Sequence, residues 1–161
     1  MFCIPGGTIG ANLSLWPAIG LNLSGTDSKT LGGYAVLSSA GLGTWTGAGN
    51  WNFYGNALFS NSGTFTVLGD AQVVPYGYSG VFINNGTFLK AGGTNTTFTW
   101  NGTYGGVAFN NNCTVDVRSD VLTLGGGYTP SPTSQLKLAL GGLAPGTQFN
   151  QLNIGGAVAL A

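Results

Sequence analysis

Short runs of alternating apolar and polar residues recur along the chain, and glycine or asparagine closes most of them. In Gly63–Gly69, Phe65 and Val67 alternate with Thr64 and Thr66. In Thr96–Trp100, Phe98 and Trp100 alternate with Thr97 and Thr99. Val115 and Val117 share one face of a third run, opposite Asp116 and Arg118. Leu136, Leu138 and Leu140 share one face of a fourth, with Lys137 opposite. A period of two over four to six residues, bounded by turn formers, predicts strands. No window sustains apolar residues at helical spacing, and glycine interrupts every candidate helix.

One phrase is written more than once. "NSGTF" begins at Asn61, "NNGTF" at Asn84 and "NNCTV" at Asn111. A unit of 20 to 30 residues built from short strands and Asn/Gly corners predicts an all-β fold, a β-solenoid of about three strands per coil. Asparagine and glycine suit its corners, and stacked asparagines can form hydrogen-bonded ladders. On this reading Asn85 and Gly86 make a corner, Thr87 points out, Phe88 points in, and Lys90 lies where the strand meets solvent. A β-sandwich of hairpins is the alternative, since its turns also recur every 8 to 12 residues. Residues 61–161 carry the repeat. Residues 1–60 are less regular and read as a cap or as aromatic-rich first coils of the same domain, with Pro17 at an edge or corner.

Charge removes several classes of function. Only 5% of the residues are charged, with four basic and four acidic side chains, no histidine and no glutamate. No basic patch can track a phosphate backbone, so no nucleic-acid partner is expected. No apolar run reaches the length of a membrane span, so no membrane insertion by a helix is expected. Aromatic residues make up 12% of the chain, enough to fill a core and argue against disorder. "MFCIPGGTIG" does not read as a signal peptide, and "NIGGAVALA" ends in strand-like sequence with no visible cap, the mark of a fragment or a self-assembling end.

The tail "GGGYTPSPTSQLKLALGG", followed by "PGTQFNQLNI" and "GGAVALA", resembles the closing repeats of bacterial autotransporter passengers and related surface β-strand-repeat proteins. The "NNGTF" units resemble the same group's repeats. The resemblance implies a right-handed parallel β-helix, an extracellular or cell-surface location, and adhesion, scaffolding or assembly without defined chemistry. The expected function is that of a non-enzymatic structural protein of a surface fibre or adhesin, associating end to end into filaments and contacting glycans or host and matrix surfaces. No cofactor or metal is expected.

Candidate sites are few. Asp27, Asp70, Asp116 and Asp120 are the acids. Asp116, Arg118 and Asp120 have the spacing of one strand face, which suits either an ion pair in solvent or the carboxylates of a polysaccharide-active enzyme. Trp45, Trp51 and Tyr54 are candidates for an aromatic surface that binds carbohydrate. Thr44–Thr46, Thr64–Thr66 and Thr97–Thr99 could form ice-binding ranks, or plain alternation with threonine outward. Asn12, Asn22, Asn85, Asn95, Asn101 and Asn112 begin Asn-x-Ser/Thr sequons and are possible glycosylation sites. Cys3 and Cys113 lie about four coils, roughly 19 Å, apart on this reading, too far for a disulfide.

Overall fold

The alternation read from the sequence becomes inward and outward faces of three parallel sheets. The computed structural model describes residues 1–10, 12–16, 19–144 and 148–159. The first coil is β1 (Phe2–Ile4), β2 (Gly7–Ile9) and β3 (Ser14–Leu15). The second is β4 (Leu21–Leu23), β5 (Lys29–Leu31) and β6 (Val36–Ser39). The third is β7 (Leu42–Trp45), β8 (Trp51–Tyr54) and β9 (Leu58–Asn61), and the fourth β10 (Thr64–Val67), β11 (Gln72–Tyr76) and β12 (Val81–Asn84). The fifth holds β13 (Thr87–Lys90), β14 (Asn95–Phe98), a small antiparallel hairpin of β15 (Trp100–Asn101) and β16 (Gly105–Gly106), and β17 (Ala108–Asn111). β18 (Thr114–Val117), β19 (Val121–Leu124) and β20 (Tyr128–Pro130) follow, then β21 (Gln135–Leu138) and β22 (Gln151–Ile154).

Sheet 1 stacks β1-β4-β7-β10-β13-β18-β21, sheet 2 stacks β2-β5-β8-β11-β14-β19-β22, and sheet 3 stacks β3-β6-β9-β12-β17-β20. Every pairing in these three sheets is parallel, the arrangement of a β-solenoid of about six turns. A sandwich of hairpins would be antiparallel, so that alternative is excluded.

Inward positions form continuous columns. Leu15, Leu37, Phe59, Phe82, Phe109 and Tyr128 stack along sheet 3. Gly43, Phe65, Phe88, Val115 and Leu136 stack along sheet 1, and Lys29, Trp51, Val73, Phe98, Leu124 and Ile154 along sheet 2. Trp51 lies edge-on to Phe59 at 4.8 Å, and Phe82 stacks on Phe109 at 5.0 Å. Such a core excludes water from the axis and supplies the main stabilisation.

The described residues of the first 60 carry strands of the same three sheets, in which Lys29 pairs with Trp51 and Trp51 with Val73, a step of 22 residues that also separates the bonded pair Asn22 and Thr44 and shortens to 19 between Phe2 and Leu21. Pro17 falls outside the described residues, as do Pro145–Thr147 of the tail. The longer step of 27 residues from Asn84 to Asn111 has a local cause, the hairpin inserted between sheets 2 and 3 of the fifth coil.

The repeated phrase now has a physical meaning at each letter. Asn61, Asn84 and Asn111 are fully buried where sheet 3 turns into sheet 1. Asn61 Nδ2 donates to Asn84 Oδ1 at 2.9 Å, Asn84 Nδ2 to Asn111 Oδ1 at 2.8 Å, and Asn111 Nδ2 to the Tyr128 hydroxyl at 3.0 Å. The glycine two residues on from Asn61 and from Asn84 is steric, and Cys113 takes its place after Asn111. A Cβ on Gly86 would stand 2.1 Å from the Gly63 carbonyl oxygen, and one on Gly63 2.1 Å from that of Gly41. Thr64, Thr87 and Thr114 then face out and Phe65, Phe88 and Val115 face in.

The ladder stops at Ser39, which occupies the asparagine position one coil below Asn61. Ser39 Oγ and Asn61 Oδ1 are buried without protein partners. An amide at position 39 would place a donor under Asn61 Oδ1. Ser39→Asn is therefore expected to stabilise the fold by about 1 kcal/mol, read as a higher urea midpoint with an unchanged slope. An unchanged or lower midpoint would contradict it.

Candidate functional site

The solenoid is a three-sided prism, and its three edges differ in chemistry. The four acidic side chains and Lys90, Arg118 and Lys137 belong to sheet 1 or to the edge where it turns into sheet 2, and Lys29, the first residue of β5, directs its ammonium back to that edge. The edge from sheet 3 to sheet 1 carries the asparagines. The edge from sheet 2 to sheet 3 carries glycines and exposed aromatic rings.

The charged edge is built largely from internal contacts. Lys29 and Lys90 occupy inward positions and are buried, at 1% and 0% exposure. Lys90 sits in a core column between Val67 and Val117, so the expectation that it meets solvent is incorrect. Its flexible stem lets Nζ reach the turn, where it donates to the Gly92 and Gly93 carbonyls and to Ser119 Oγ. Lys29 Nζ donates in the same way to the Gly25 and Asp27 carbonyls, at 3.1 and 2.8 Å. Burial lowers both ammonium pKa values, opposed by the Asp27 carboxylate for Lys29 and by Asp70 and Asp120 for Lys90. Asp70 accepts hydrogen bonds from the Thr94 and Asn95 backbone N–H groups and from Thr94 Oγ1, and the Asn95 N–H leads in lowering its pKa.

Asp116 and Arg118 form an ion pair, Nε to Oδ2 at 2.9 Å, with the arginine 65% exposed. Asp120 does not join them on one strand face. β18 ends at Val117, and Asp120 lies in the following turn with φ of 39°. The group thus has the form of an ion pair between a buried Asp116 and a guanidinium that extends into solvent.

Trp45 and Trp51 are not surface residues. Each is 1% exposed, and their rings meet edge to face at 5.8 Å inside the core. Both fall on the inward phase of their strands. Tyr54, one residue past the last inward position of β8, is 48% exposed. It is joined on the same edge by Tyr34, Tyr76, Tyr78 and Tyr104, which the strand pattern does not single out, and by Trp100, which alternation places on one face with buried Phe98 but which is exposed because β14 ends at Phe98 and the hairpin begins. Their signal in the sequence is local: each stands next to or near glycine in a turn, as in "GGYA", "YGYSG" and "WNGTYGG".

The threonine ranks do not form a plane. Thr44 and Thr66 are in register, but Leu89 and then Asp116 continue their column. Thr64, Thr87 and Thr114 align as a single file. Threonine outward and aromatic inward describes all three Thr-x-Thr runs.

The six sequons are dispersed. Asn12 and Asn101 lie on the aromatic edge, and Asn101 Oδ1 accepts from the Thr103 and Tyr104 N–H groups. Asn22 is half-buried in β4, its Oδ1 bonded by Thr44 Oγ1. Asn95 is exposed on sheet 2. Asn85 and Asn112 form an outer rank beside the buried ladder, with Asn112 Nδ2 donating to Asn85 Oδ1 at 2.8 Å. Cys3 and Cys113 are free thiols five strand steps apart in sheet 1.

At the C-terminal end the sheet 1 columns finish on Leu136 and Leu138, 45% and 36% exposed. Leu152 and Ile154 end the columns of sheet 2. At the other end Phe2, Ile4 and Ile9 hold the equivalent inward positions. No known protein family, curated protein or solved structure matches the chain. The fold and these surfaces define a parallel β-solenoid.

Proposed function

We propose that this chain is a non-enzymatic structural β-solenoid of an exported cell-surface or extracellular fibre, adhesin-like in role, that stacks end to end. The observation that carries this reading is the exposed apolar end of the core columns at Leu136 and Leu138. A coil placed on that face continues both the columns and the parallel hydrogen bonding, and the first coil of a second copy carries Phe2, Ile4 and Ile9 in matching positions. A head-to-tail contact of this kind does not close on itself and therefore grows into a filament. The tail's likeness to surface repeats supports the location. The low charge suits stacking, since like charges one strand step apart repel.

Electron microscopy and sedimentation over rising concentration test the proposal. Filaments or a concentration-dependent series of oligomers are expected, abolished by Leu136→Lys with Leu138→Lys. A native chain that stays monomeric at high concentration would remove end-to-end stacking.

A further inference from the structure

We propose that the edge between sheets 2 and 3 is a binding site for a neutral polysaccharide, with Tyr54, Tyr76 and Trp100 as the rings on which successive sugars lie. The inference is independent of end-to-end stacking. Tyr54 and Tyr76 are paired in neighbouring strands, their rings 6.0 Å apart and inclined by 31°, and both are exposed to solvent. The row continues where the fifth coil departs from the regular repeat. The β15–β16 hairpin packs against β11 and is held by Ser79 Oγ donating to the Tyr104 carbonyl at 3.0 Å. The inserted segment brings Trp100 and Tyr104 to the surface, 61% and 43% exposed.

Trp100 walls a cavity of about 300 Å³ whose floor is Gly125, Gly155 and Gly156. A Cβ on Gly125 would lie 2.8 Å from the Phe98 carbonyl oxygen and 2.9 Å from the Trp100 nitrogen, so glycine lets the chain at Trp100 sit against the next coil. The exposed amides of Asn56 and Asn101 border the row. Exposed ring faces with a few uncharged hydrogen-bonding groups suit the CH faces and hydroxyls of pyranose sugars. The ligand's charge follows from the segregation of charge on the prism. Every ionised side chain lies on sheet 1, at its turn into sheet 2, or, for Lys29, buried at the start of sheet 2 with its ammonium directed to that same turn, so nothing on this edge would hold a sulfated or uronic-acid chain. The rings stand at a spacing set by the strands, so a polymer with a short regular repeat meets several of them at once, which multiplies weak contacts.

The test is retention of the purified chain on insoluble cellulose, chitin and β-1,3-glucan, in low salt and at about 1 M NaCl, where surface electrostatics are screened. Retention on at least one of them, unchanged by salt, is expected. Trp100→Ala and Tyr76→Ala are each expected to weaken it about tenfold or more, with Trp100→Phe restoring part. Trp16→Ala, which removes an exposed ring elsewhere, should leave it unchanged. Circular dichroism guards against unfolding, and the Tyr54→Ala and Tyr76→Ala pair reads the site should Trp100→Ala not fold. No retention on any of the three, retention lost in salt, or retention indifferent to these substitutions would overturn the proposal.

Discussion

Asn84→Ala is expected to lower stability by about 3 kcal/mol or more, since each buried group stranded without a partner costs about 1–3 kcal/mol. Asn84 Nδ2 serves three acceptors: the Gly86 carbonyl at 3.1 Å, the Thr114 carbonyl at 2.8 Å and Asn111 Oδ1 at 2.8 Å. Its Oδ1 receives the Asn61 amide. Alanine removes all four contacts: the Gly86 carbonyl keeps the Thr114 N–H and the Asn61 amide keeps the Gly63 and Thr87 carbonyls, but Asn111 Oδ1 and the Thr114 carbonyl each lose a close donor inside the molecule, together with the packing of the side chain. Asn84→Asp separates shape from hydrogen bonding. Aspartate nearly matches the volume but cannot donate to the three acceptors, so it too should be strongly destabilising. Urea unfolding followed by circular dichroism reads both; an Asn84→Asp variant as stable as the native chain would show that the side chain only fills space.

Phe82→Ala is expected to cost about 3–5 kcal/mol, the range for losing a large aromatic side chain from a packed core. Its ring lies 4.9 Å from Phe59, 5.3 Å from Phe98, 5.6 Å from Phe88 and 5.0 Å from Phe109. It therefore bridges the fourth coil to the coils on either side. In a solenoid each coil is stabilised mainly by its neighbours, so a cavity at one coil weakens the coupling of the two halves. The expected result is a lower midpoint and a shallower or split unfolding transition. Loss of Tyr76, whose ring is 62% exposed, should by contrast change stability by less than about 1 kcal/mol. Equal effects at the two positions would contradict the assignment of core and surface.

Much of the solenoid is legible in the sequence. Period-two alternation identifies the strands, and Asn61, Asn84 and Asn111 mark one corner of three successive coils. The same unit goes unnoticed in the first 60 residues because its letters change. At Ser39–Gly43 serine replaces the ladder asparagine, and Leu42 and Gly43 stand where later coils have threonine and an aromatic residue. The backbone step persists there because stacking depends on the parallel hydrogen bonds and the corner glycine more than on any one side chain.

The candidate site was less legible. Aromatic residues in strands look alike in sequence whichever face they take, and the strand phase placed Trp45 and Trp51 inside while leaving Tyr54 outside. Lysine is polar by composition, yet Lys29 and Lys90 are drawn into the core because turn carbonyls lie within reach of their ammonium groups. By itself the sequence determined the all-β character, the corner unit and the scarcity of charge, since these follow from local pattern and composition. Only the tertiary structure decided which residues from different coils share an edge, because the inserted hairpin and the register of the parallel strands bring together positions far apart in the chain.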